Sequence, residues 1–158
     1  MKTQRLSKKH LANKQSIGGL FAETVAKHPH KVAMIDAETG SSLTFGQAEQ
    51  LANQVGNFFS STQYEKEDVI AIFMASSPEY VCYWLGLSKI GVISALINFN
   101  LRGDSLAHCI KVSKAKTIVY SQELAGIKFS ANFHTTSKLT IIPFCILSSL
   151  SITKQYHK

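Results

Sequence analysis

Residues 68–121 decide the fold, and they read DVIAIFMASSPEYVCYWLGLSKIGVISALINFNLRGDSLAHCIKVSKAKTIVYS. Apolar runs at 69–75 and 92–97 have the length and composition of strands buried on both faces. A third apolar run, TIVYS at 117–121, predicts one more strand. The segments between these runs are long enough to hold a helix each.

Two helices are predicted between the three strands. The first spans 79–90 and follows Ser-Ser-Pro at 76–78, where a serine can cap the helix and proline is tolerated in the first turn. The second is capped by Asp104 or Ser105 and runs to about Lys114. Alternating strands and helices with short connections imply right-handed crossovers and a parallel sheet covered by helices. The predicted fold class is α/β.

A helix and a β-hairpin are predicted before this unit. Residues 16–28 place apolar side chains at helical spacing, and strands at 31–37 and 43–45 flank a turn around a glycine. Thr44 and Gln47 have the spacing of a capping box, which starts a further amphipathic helix. The predicted elements together form a partial three-layer subdomain with an N-terminal helix and hairpin.

Composition divides the chain into three parts. Residues 1–15 form a basic N-terminal tail, and residues 16–125 form the folded domain. Every glycine and every acidic residue lies at or before Gly126, and the residues after it are rich in Ser, Thr and Ile. Residues 126–158 are therefore predicted to be a divergent, irregular and poorly ordered tail.

Charge and cysteine content exclude several classes of function. The net charge is +7, but the basic excess lies at the two ends, so the folded part does not present the basic face of a nucleic-acid-binding domain. The basic ends favour an anionic membrane surface as a partner. The three cysteines are widely spaced, which indicates free thiols in a reducing, intracellular compartment and neither a disulfide framework nor a metal site.

The longest apolar run, Leu139–Ile152, is too short for a membrane-spanning helix, which needs about 20 residues. Two interpretations remain open for it. It is either a membrane-associating segment flanked by Lys138 and Lys154, or a sticky unfolded tail rich in β-branched residues. Two of the six histidines, His28 and His30, flank a proline, and no third or fourth metal ligand stands at suitable spacing.

With these elements placed, the chain resembles the fatty acid transport proteins and very long-chain acyl-CoA synthetases, which belong to the adenylate-forming enzymes. The residues that carry the resemblance are WLGLSKIG followed by ALINFNLRGDSLAHCI, together with the Ser-Pro-Glu helix start and the capped helix at Thr44. The resemblance extends over residues 16–124. It implies a parent reaction in which a fatty acid and ATP form an acyl-adenylate and coenzyme A then displaces AMP.

The resemblance also implies which parts are missing. In the family, a Ser/Thr/Gly-rich phosphate loop with its lysine, downstream nucleotide-binding motifs and a C-terminal lysine bind ATP and magnesium and serve the adenylation step. None of these motifs occurs in this sequence. We therefore expect no catalytic residue, no cofactor-binding residue and no cofactor for this chain, although the parent family uses ATP, Mg and coenzyme A.

The resemblance implies a fatty acid or acyl-CoA as ligand and association with the endoplasmic reticulum or plasma membrane. Family members begin with an apolar spanning segment, whereas this chain begins with a basic one. The predicted function is that of a truncated, inactive member of the fatty acid–CoA ligase family. Two alternatives remain open: a small interaction or lipid-binding module derived from this fold, or an incomplete sequence of a full ligase. For the inactive remnant, exposed strand edges favour association with a full-length family member as a partner.

The only candidates for a substrate site are Asn98, Asn100 and Arg102. They follow the strand at 92–97 at its carboxyl end, where ligands of open α/β sheets bind. The alternative interpretation is that the asparagines are turn residues and that the arginine has a surface partner.

Overall fold

The computed structural model describes residues 16–126 and 139–144. The elements, in chain order, are α1 (Ile17–Lys27), β1 (Val32–Ile35), β2 (Ser42–Thr44), α2 (Phe45–Ser60), β3 (Val69–Phe73), α3 (Pro78–Lys89), β4 (Ile93–Leu96), α4 (Gly103–Ser113), β5 (Thr117–Tyr120), a 3₁₀ turn (Gln122–Leu124) and β6 (Thr140–Pro143).

The main sheet has four parallel strands in the order β4-β3-β5-β6. Ile72 of β3 lies beside Leu96 of β4 on one side and Val119 of β5 on the other, and Val119 in turn lies beside Ile142 of β6. The chain therefore moves from β3 outward to β4 and then crosses back over to β5. This confirms the predicted α/β class and the parallel sheet.

The two faces of β3 bury different clusters, which makes the unit three-layered. Ile70 and Ile72 pack with Phe59 of α2 and Tyr83 of α3 on one face. The alternate residues of β3, Ala71 and Phe73, pack on the other face with two residues of α4, Leu106 and Ile110. Side chains alternate between the faces of a strand, so a strand with both faces covered must be apolar throughout.

The β1–β2 hairpin is a separate antiparallel pair. Val32 lies opposite Thr44 and Met34 opposite Leu43, so Ala33 is an extra residue and forms a bulge. The bulge explains why Ala33 and Met34 are both half-buried while both ends of β1 are exposed. Gly40 has φ +71° in the connecting turn, as the predicted turn around a glycine requires.

Two predicted helix starts are confirmed by their hydrogen bonds. The Thr44 side chain accepts from the Gln47 amide at 3.2 Å, and the Gln47 side chain accepts from the Thr44 amide at 2.8 Å, which completes the capping box of α2. The Ser77 side chain accepts from the Tyr80 amide at 3.3 Å, with Pro78 in the first turn of α3.

The strand at 92–97 was expected to be buried, and this expectation holds only for its end residues, Val92 and Ile97. β4 lies at the edge of the sheet, and Ile93 and Leu96 are 51% and 48% exposed. Its composition resembles that of β3, but among the described residues β3 has a neighbouring strand on each side, whereas β4 has only β3. Composition alone does not distinguish these two positions.

The start of α4 also differs from the prediction. The helix begins at Gly103, and the residue in the capping position is Arg102, whose side chain makes no capping hydrogen bond. Asp104 and Ser105, the predicted caps, lie inside the first turn. Gly103 has φ +51°, a conformation that glycine adopts at little cost.

Part of the predicted irregular tail is regular. Thr140–Pro143 forms β6, which pairs with β5 in parallel, and the Phe144 amide donates to the Tyr120 carbonyl oxygen at 2.8 Å. The prediction missed this strand because it took the loss of glycines and acids as the end of the fold. The basic tail at 1–15 and the remainder of 126–158, including most of Leu139–Ile152, lie outside the described residues.

Candidate functional site

The strand order indicates a candidate site at the carboxyl ends of β3 and β5. β3 and β4 are joined by α3 on one face, and β4 and β5 are joined by α4 on the other. The direction of the winding therefore reverses between β3 and β5. Ligands of doubly wound sheets bind outside the carboxyl ends of the strands at such a reversal.

Two serines at this reversal, Ser77 and Ser121, are hydrogen-bonded within the chain. The Ser77 side chain caps α3 after β3. After β5, the Ser121 amide donates to the Phe73 carbonyl oxygen at 3.4 Å, and the Ser121 hydroxyl donates to the Glu123 carboxylate at 2.9 Å. Ser121 is only 7% exposed. These contacts join the ends of β3 and β5 and start the 3₁₀ turn.

The predicted residues Asn98, Asn100 and Arg102 lie together in the exposed loop after β4. The Asn98 side chain accepts from the Asn100 amide at 3.0 Å, which is the hydrogen bond of an Asx turn. The Arg102 guanidinium donates to two carbonyl oxygens of the same loop, those of Phe99 at 2.6 Å and Leu101 at 2.7 Å. The Asn98–Asn100 and Arg102 contacts fix the shape of the loop.

The loop is anchored to the core by its apolar residues. Phe99 and Leu101 pack against the cluster between the sheet and α4, and the preceding Ile97 is 8% exposed. Apolar and polar side chains therefore alternate from Ile97 to Arg102, so the polar ones are held at the surface. Their role in a substrate site stays a prediction.

The described residues offer little reactive chemistry. The Cys82 thiol is fully buried in α3, and burial, with a smaller contribution from the nearby Glu79 charge, raises its pKa to about 12. Burial also raises the pKa of the Tyr80 hydroxyl. Within 16–126 and 139–144, no three His, Cys, Asp or Glu side chains are grouped as a metal ion would require.

Two polar pairs at the opposite, amino end of the sheet were not predicted. The Tyr64 hydroxyl bonds to the buried Thr117 hydroxyl, and Lys116 pairs with Asp68. The Glu65 amide and, secondarily, Lys116 hold the pKa of Asp68 below its usual value, and the hydrogen bond to Asp68 raises the pKa of Lys116. Asp68 and Lys116 immediately precede the adjacent strands β3 and β5, which is the signal that could have predicted their pairing.

A second missed contact joins three helices. The Lys89 ammonium at the end of α3 pairs with Glu49 of α2 and donates to the Asn53 side chain at 2.8 Å. Gly18 of α1 lies against the Lys89 side chain, since a Cβ on Gly18 would be 2.8 Å from the Lys89 Cγ. Glu49 and Asn53 are four residues apart on one helix face, a pattern that indicates a polar face but not its partner.

Comparison with known proteins identifies the class. The family model described as AMP-binding enzyme matches residues 21–150, so the chain belongs to the AMP-binding enzyme family. The match begins a few residues after Ser16 and continues past Leu124, so the expectation that the resemblance ends near residue 124 is wrong. β6 lies in this additional stretch.

Within that family the chain is similar to long-chain fatty acid transport proteins. It is 41% identical to long-chain fatty acid transport protein 1 of Bos taurus over 119 residues, which are 75% of this chain and 18% of the relative. It is 36% identical to the Homo sapiens protein of the same name over 138 residues, which are 87% of this chain and 21% of the relative. The chain thus spans about one fifth of the length of these curated relatives.

Two solved structures with a similar fold are an N-terminal domain and an N-terminal subdomain. The N-terminal domain of FACL13 from Mycobacterium tuberculosis matches with a TM-score of 0.76 and 21% identity, over 85% of this chain and 35% of that one. The N-terminal subdomain of Klebsiella oxytoca NpsA, in complex with anthranilyl-AMSN, matches with a TM-score of 0.70 and 17% identity, over 85% and 32%. At these identities the likeness supports the fold.

The relatives' name raises the question of membrane attachment. None of the helices within the described ranges has both the length and the apolar character needed to cross a bilayer.

Proposed function

We propose that this chain is the N-terminal part of the AMP-binding domain of a fatty acid–CoA ligase of the fatty acid transport protein type, and that by itself it does not activate fatty acids. The observation that carries the proposal is a 130-residue match to the AMP-binding family combined with a span of only about one fifth of the relatives. The parent reaction converts a fatty acid, ATP and coenzyme A to acyl-CoA, AMP and diphosphate.

The lack of activity is supported by what ATP binding requires. Transfer at a phosphate is catalysed mainly by positioning and charge neutralisation, through backbone amides, a lysine and a metal ion around the phosphates. The sequence contains no Ser/Thr/Gly-rich loop with its lysine. Within the described residues, the Ser121 hydroxyl at the carboxyl end of the sheet donates its proton to the Glu123 carboxylate and not to a phosphate.

Several finer assignments belong to this proposal. The folded domain comprises residues 16–125 together with β6 (Thr140–Pro143), and it follows a basic tail at 1–15. Asn98, Asn100 and Arg102 shape part of the substrate site only in the complete enzyme, where a fatty acid or acyl-CoA is the ligand. The location is intracellular, at the endoplasmic reticulum or plasma membrane, and partners are an anionic membrane surface and a full-length family member.

The proposal is tested by assaying the purified chain for oleoyl-CoA and AMP formation from oleate, ATP, magnesium and coenzyme A. A fatty acid–CoA ligase of known activity, assayed in parallel, is the positive control for the reagents. We expect no turnover above the no-protein background. Turnover by this chain that depends on ATP and oleate would contradict the proposal and would require an ATP site outside the family's phosphate loop.

A further inference from the structure

The bulge in β1 places two exposed apolar side chains on the same face of the β1–β2 hairpin. In a regular strand, residues three apart, such as Val32 and Ile35, point to opposite faces. Here Val32 lies opposite Thr44 and Ile35 lies opposite Ser42, and these two residues of β2 share a face because they are two apart. Val32 and Ile35 are 47% and 67% exposed, so the described residues leave their shared face, the outer hairpin face, uncovered.

The other face of the hairpin is the one that packs on the domain. Met34 and Leu43 lie opposite each other, point to this second face and are half-buried. The hairpin as a whole contacts α2. The extra residue Ala33 therefore gives β1 a covered face and an outer face that carries both of its exposed apolar side chains.

Cationic side chains border the outer hairpin face. The segment that leads from the end of α1 into β1 carries Lys27, His28, His30 and Lys31, and all four are exposed. No acidic residue occurs in 24–35. The sequence that enters the hairpin is therefore basic at the surface, directly beside the apolar pair.

The charge of the whole chain is concentrated in the same region. Residues 1–35 hold seven Lys or Arg and one acidic residue, so six of the seven net positive charges lie there. The Asp36 carboxylate, which follows β1, accepts from the amides of Glu38 and Thr39 in its own turn. An excess of positive charge on this scale favours an anionic partner.

We propose that the outer hairpin face, together with the cationic segment at 27–31, binds an anionic phospholipid surface. Val32 and Ile35 enter the boundary between headgroups and acyl chains, while Lys27 and Lys31 contact lipid phosphates. A headgroup layer keeps these cations hydrated as it takes up the apolar side chains, whereas a protein cover would have to supply an acidic partner for each cation that it buries. This assignment rests on the proposed function, which includes an anionic membrane as a partner.

Flotation of the full chain with lipid vesicles measures the binding. Phosphatidylcholine vesicles with about 30% phosphatidylserine are compared with pure phosphatidylcholine vesicles, at about 0.05 M and about 0.5 M salt. Val32→Thr/Ile35→Thr keeps β-branched residues in the strand and removes apolar surface. Val112→Thr/Ile93→Thr is the matched control, since it makes the same two changes at residues that are 65% and 51% exposed on other elements.

Charge is tested by a second pair of variants. Lys27→Gln/Lys31→Gln removes two cations beside the outer hairpin face, and Lys66→Gln/Lys111→Gln removes two exposed lysines that lie outside α1 and the hairpin. We expect binding to the anionic vesicles at low salt only, and partitioning at least about fivefold weaker for both hairpin variants. Both control variants should bind at least about twice as strongly as their hairpin counterparts, and circular dichroism confirms that each variant is folded.

Quenching by brominated lipids gives a second measurement, which does not depend on loss of binding. Ile35→Trp and Val112→Trp each add one tryptophan to the native Trp84, which contributes the same background to both. We expect anionic vesicles of brominated lipid to quench Ile35→Trp more strongly than Val112→Trp. Equal quenching of the two variants contradicts the proposal.

The absence of flotation at low salt also overturns the proposal. So does flotation that Val32→Thr/Ile35→Thr leaves unchanged, which would assign the binding to another part of the chain. A change in oligomeric state caused by this variant, without flotation of the unmodified chain, would assign the outer hairpin face to a protein contact. None of these measurements involves acyl-CoA formation, so failure here is distinct from the appearance of turnover that would contradict the proposed function.

Discussion

Gly86 of α3 lies so close to α2 that a Cβ at this position would be 2.8 Å from the Cβ of Val55. The closeness is mutual, because a Cβ on Gly56 of α2 would be 3.2 Å from the Gly86 carbonyl oxygen. Glycines therefore allow the backbones of α2 and α3 to touch. The contact keeps both helices flat against the sheet, where Phe59 and Tyr83 fill the core.

Substituting Gly86 with alanine is expected to destabilise the domain by about 1–3 kcal/mol, the usual effect of overpacking a filled core. The added methyl group would force the two helices apart, because the obstructing atoms belong to the neighbouring helix's backbone and to a buried valine. Urea unfolding followed by circular dichroism measures the change.

Gly19→Ala is the matched control for this substitution. Gly19 also lies in a helix, but its added Cβ would meet only the Ser16 side chain at an ordinary 3.5 Å. We expect a gain of up to about 1 kcal/mol from helix propensity. Equal effects of the two substitutions would show that α2 and α3 are not packed backbone to backbone.

The contact between Lys89 and Glu49 is expected to contribute more than a surface ion pair. Both side chains are mostly buried, with 20% and 18% exposed, and the second carboxylate oxygen of Glu49 is buried without a partner among the described residues. Lys89→Met removes the cation and leaves the carboxylate enclosed. We expect a loss of about 1–3 kcal/mol in the free energy of unfolding, the penalty for a buried group left unpaired.

Lys111→Met is the control, since Lys111 is an exposed lysine of α4 and should shift stability by less than about 0.5 kcal/mol. The double variant Glu49→Leu/Lys89→Met removes both charges and should recover part of the loss. If the double variant instead lost as much stability as the Glu49→Leu and Lys89→Met single variants added together, the two charges would not interact.

Much of the fold could be predicted because periodicity and capping agree locally. Alternate residues of β3 pack in two different clusters, and the uninterrupted apolar run of this strand predicted that both of its faces are buried. Thr44 with Gln47 and Ser77 with Pro78 fixed two helix starts within one residue. The prediction failed where it depended on long-range pairing. β3 and β4 have similar composition, and only the strand order makes β4 an edge strand.

The candidate site was less predictable for the same reason. Asn98, Asn100 and Arg102 were predicted to follow the carboxyl end of a strand, and they do follow β4. The sequence did not indicate that the Asn98 and Arg102 side chains bond within the loop. The Lys89–Glu49 contact lies 40 residues apart in sequence, so no local pattern identifies it. β6 was missed because the lack of glycines and acids after Gly126 was taken as the end of the fold, and no local pattern indicates its parallel pairing with β5.

The hairpin turn is expected to make stability depend on acidic pH. The amides of Thr39 and Glu38 donate to the Asp36 carboxylate at 2.9 and 2.8 Å, and they hold its pKa below the ordinary value of 3.8. A carboxyl with a depressed pKa stabilises the folded state above pH 3.8, and this contribution is lost as the pH falls through the folded-state pKa.

Asp36→Asn tests this assignment, because it keeps the shape of the side chain and removes its charge. The difference in urea midpoint between the unmodified chain and the variant should be largest near neutral pH and should shrink as the pH falls below 3.8. A difference that is constant across this range would mean that the carboxylate charge does not matter to the turn.

Cys82 is expected to be inert in the folded chain, although it is one of only three cysteines. Its side chain is fully buried, and burial raises the pKa of the thiol to about 12. Thiol reagents attack the thiolate, so at neutral pH both access and ionisation protect Cys82. The raised pKa also means that folding loses stability as the pH rises from 9.0 toward the folded-state value.

Single-cysteine variants measure this protection directly. Cys109→Ser/Cys145→Ser leaves Cys82 alone, and Cys82→Ser/Cys145→Ser leaves the half-exposed Cys109 as the matched control. We expect an aromatic disulfide reagent to modify Cys82 at least about 100-fold more slowly than Cys109, with the difference abolished in denaturant. If Cys82 reacted as fast as Cys109 in the folded chain, α3 would have to leave the sheet readily. The layer that α3 forms with α2 would then be less stable than the packing of Gly86 on Val55 implies.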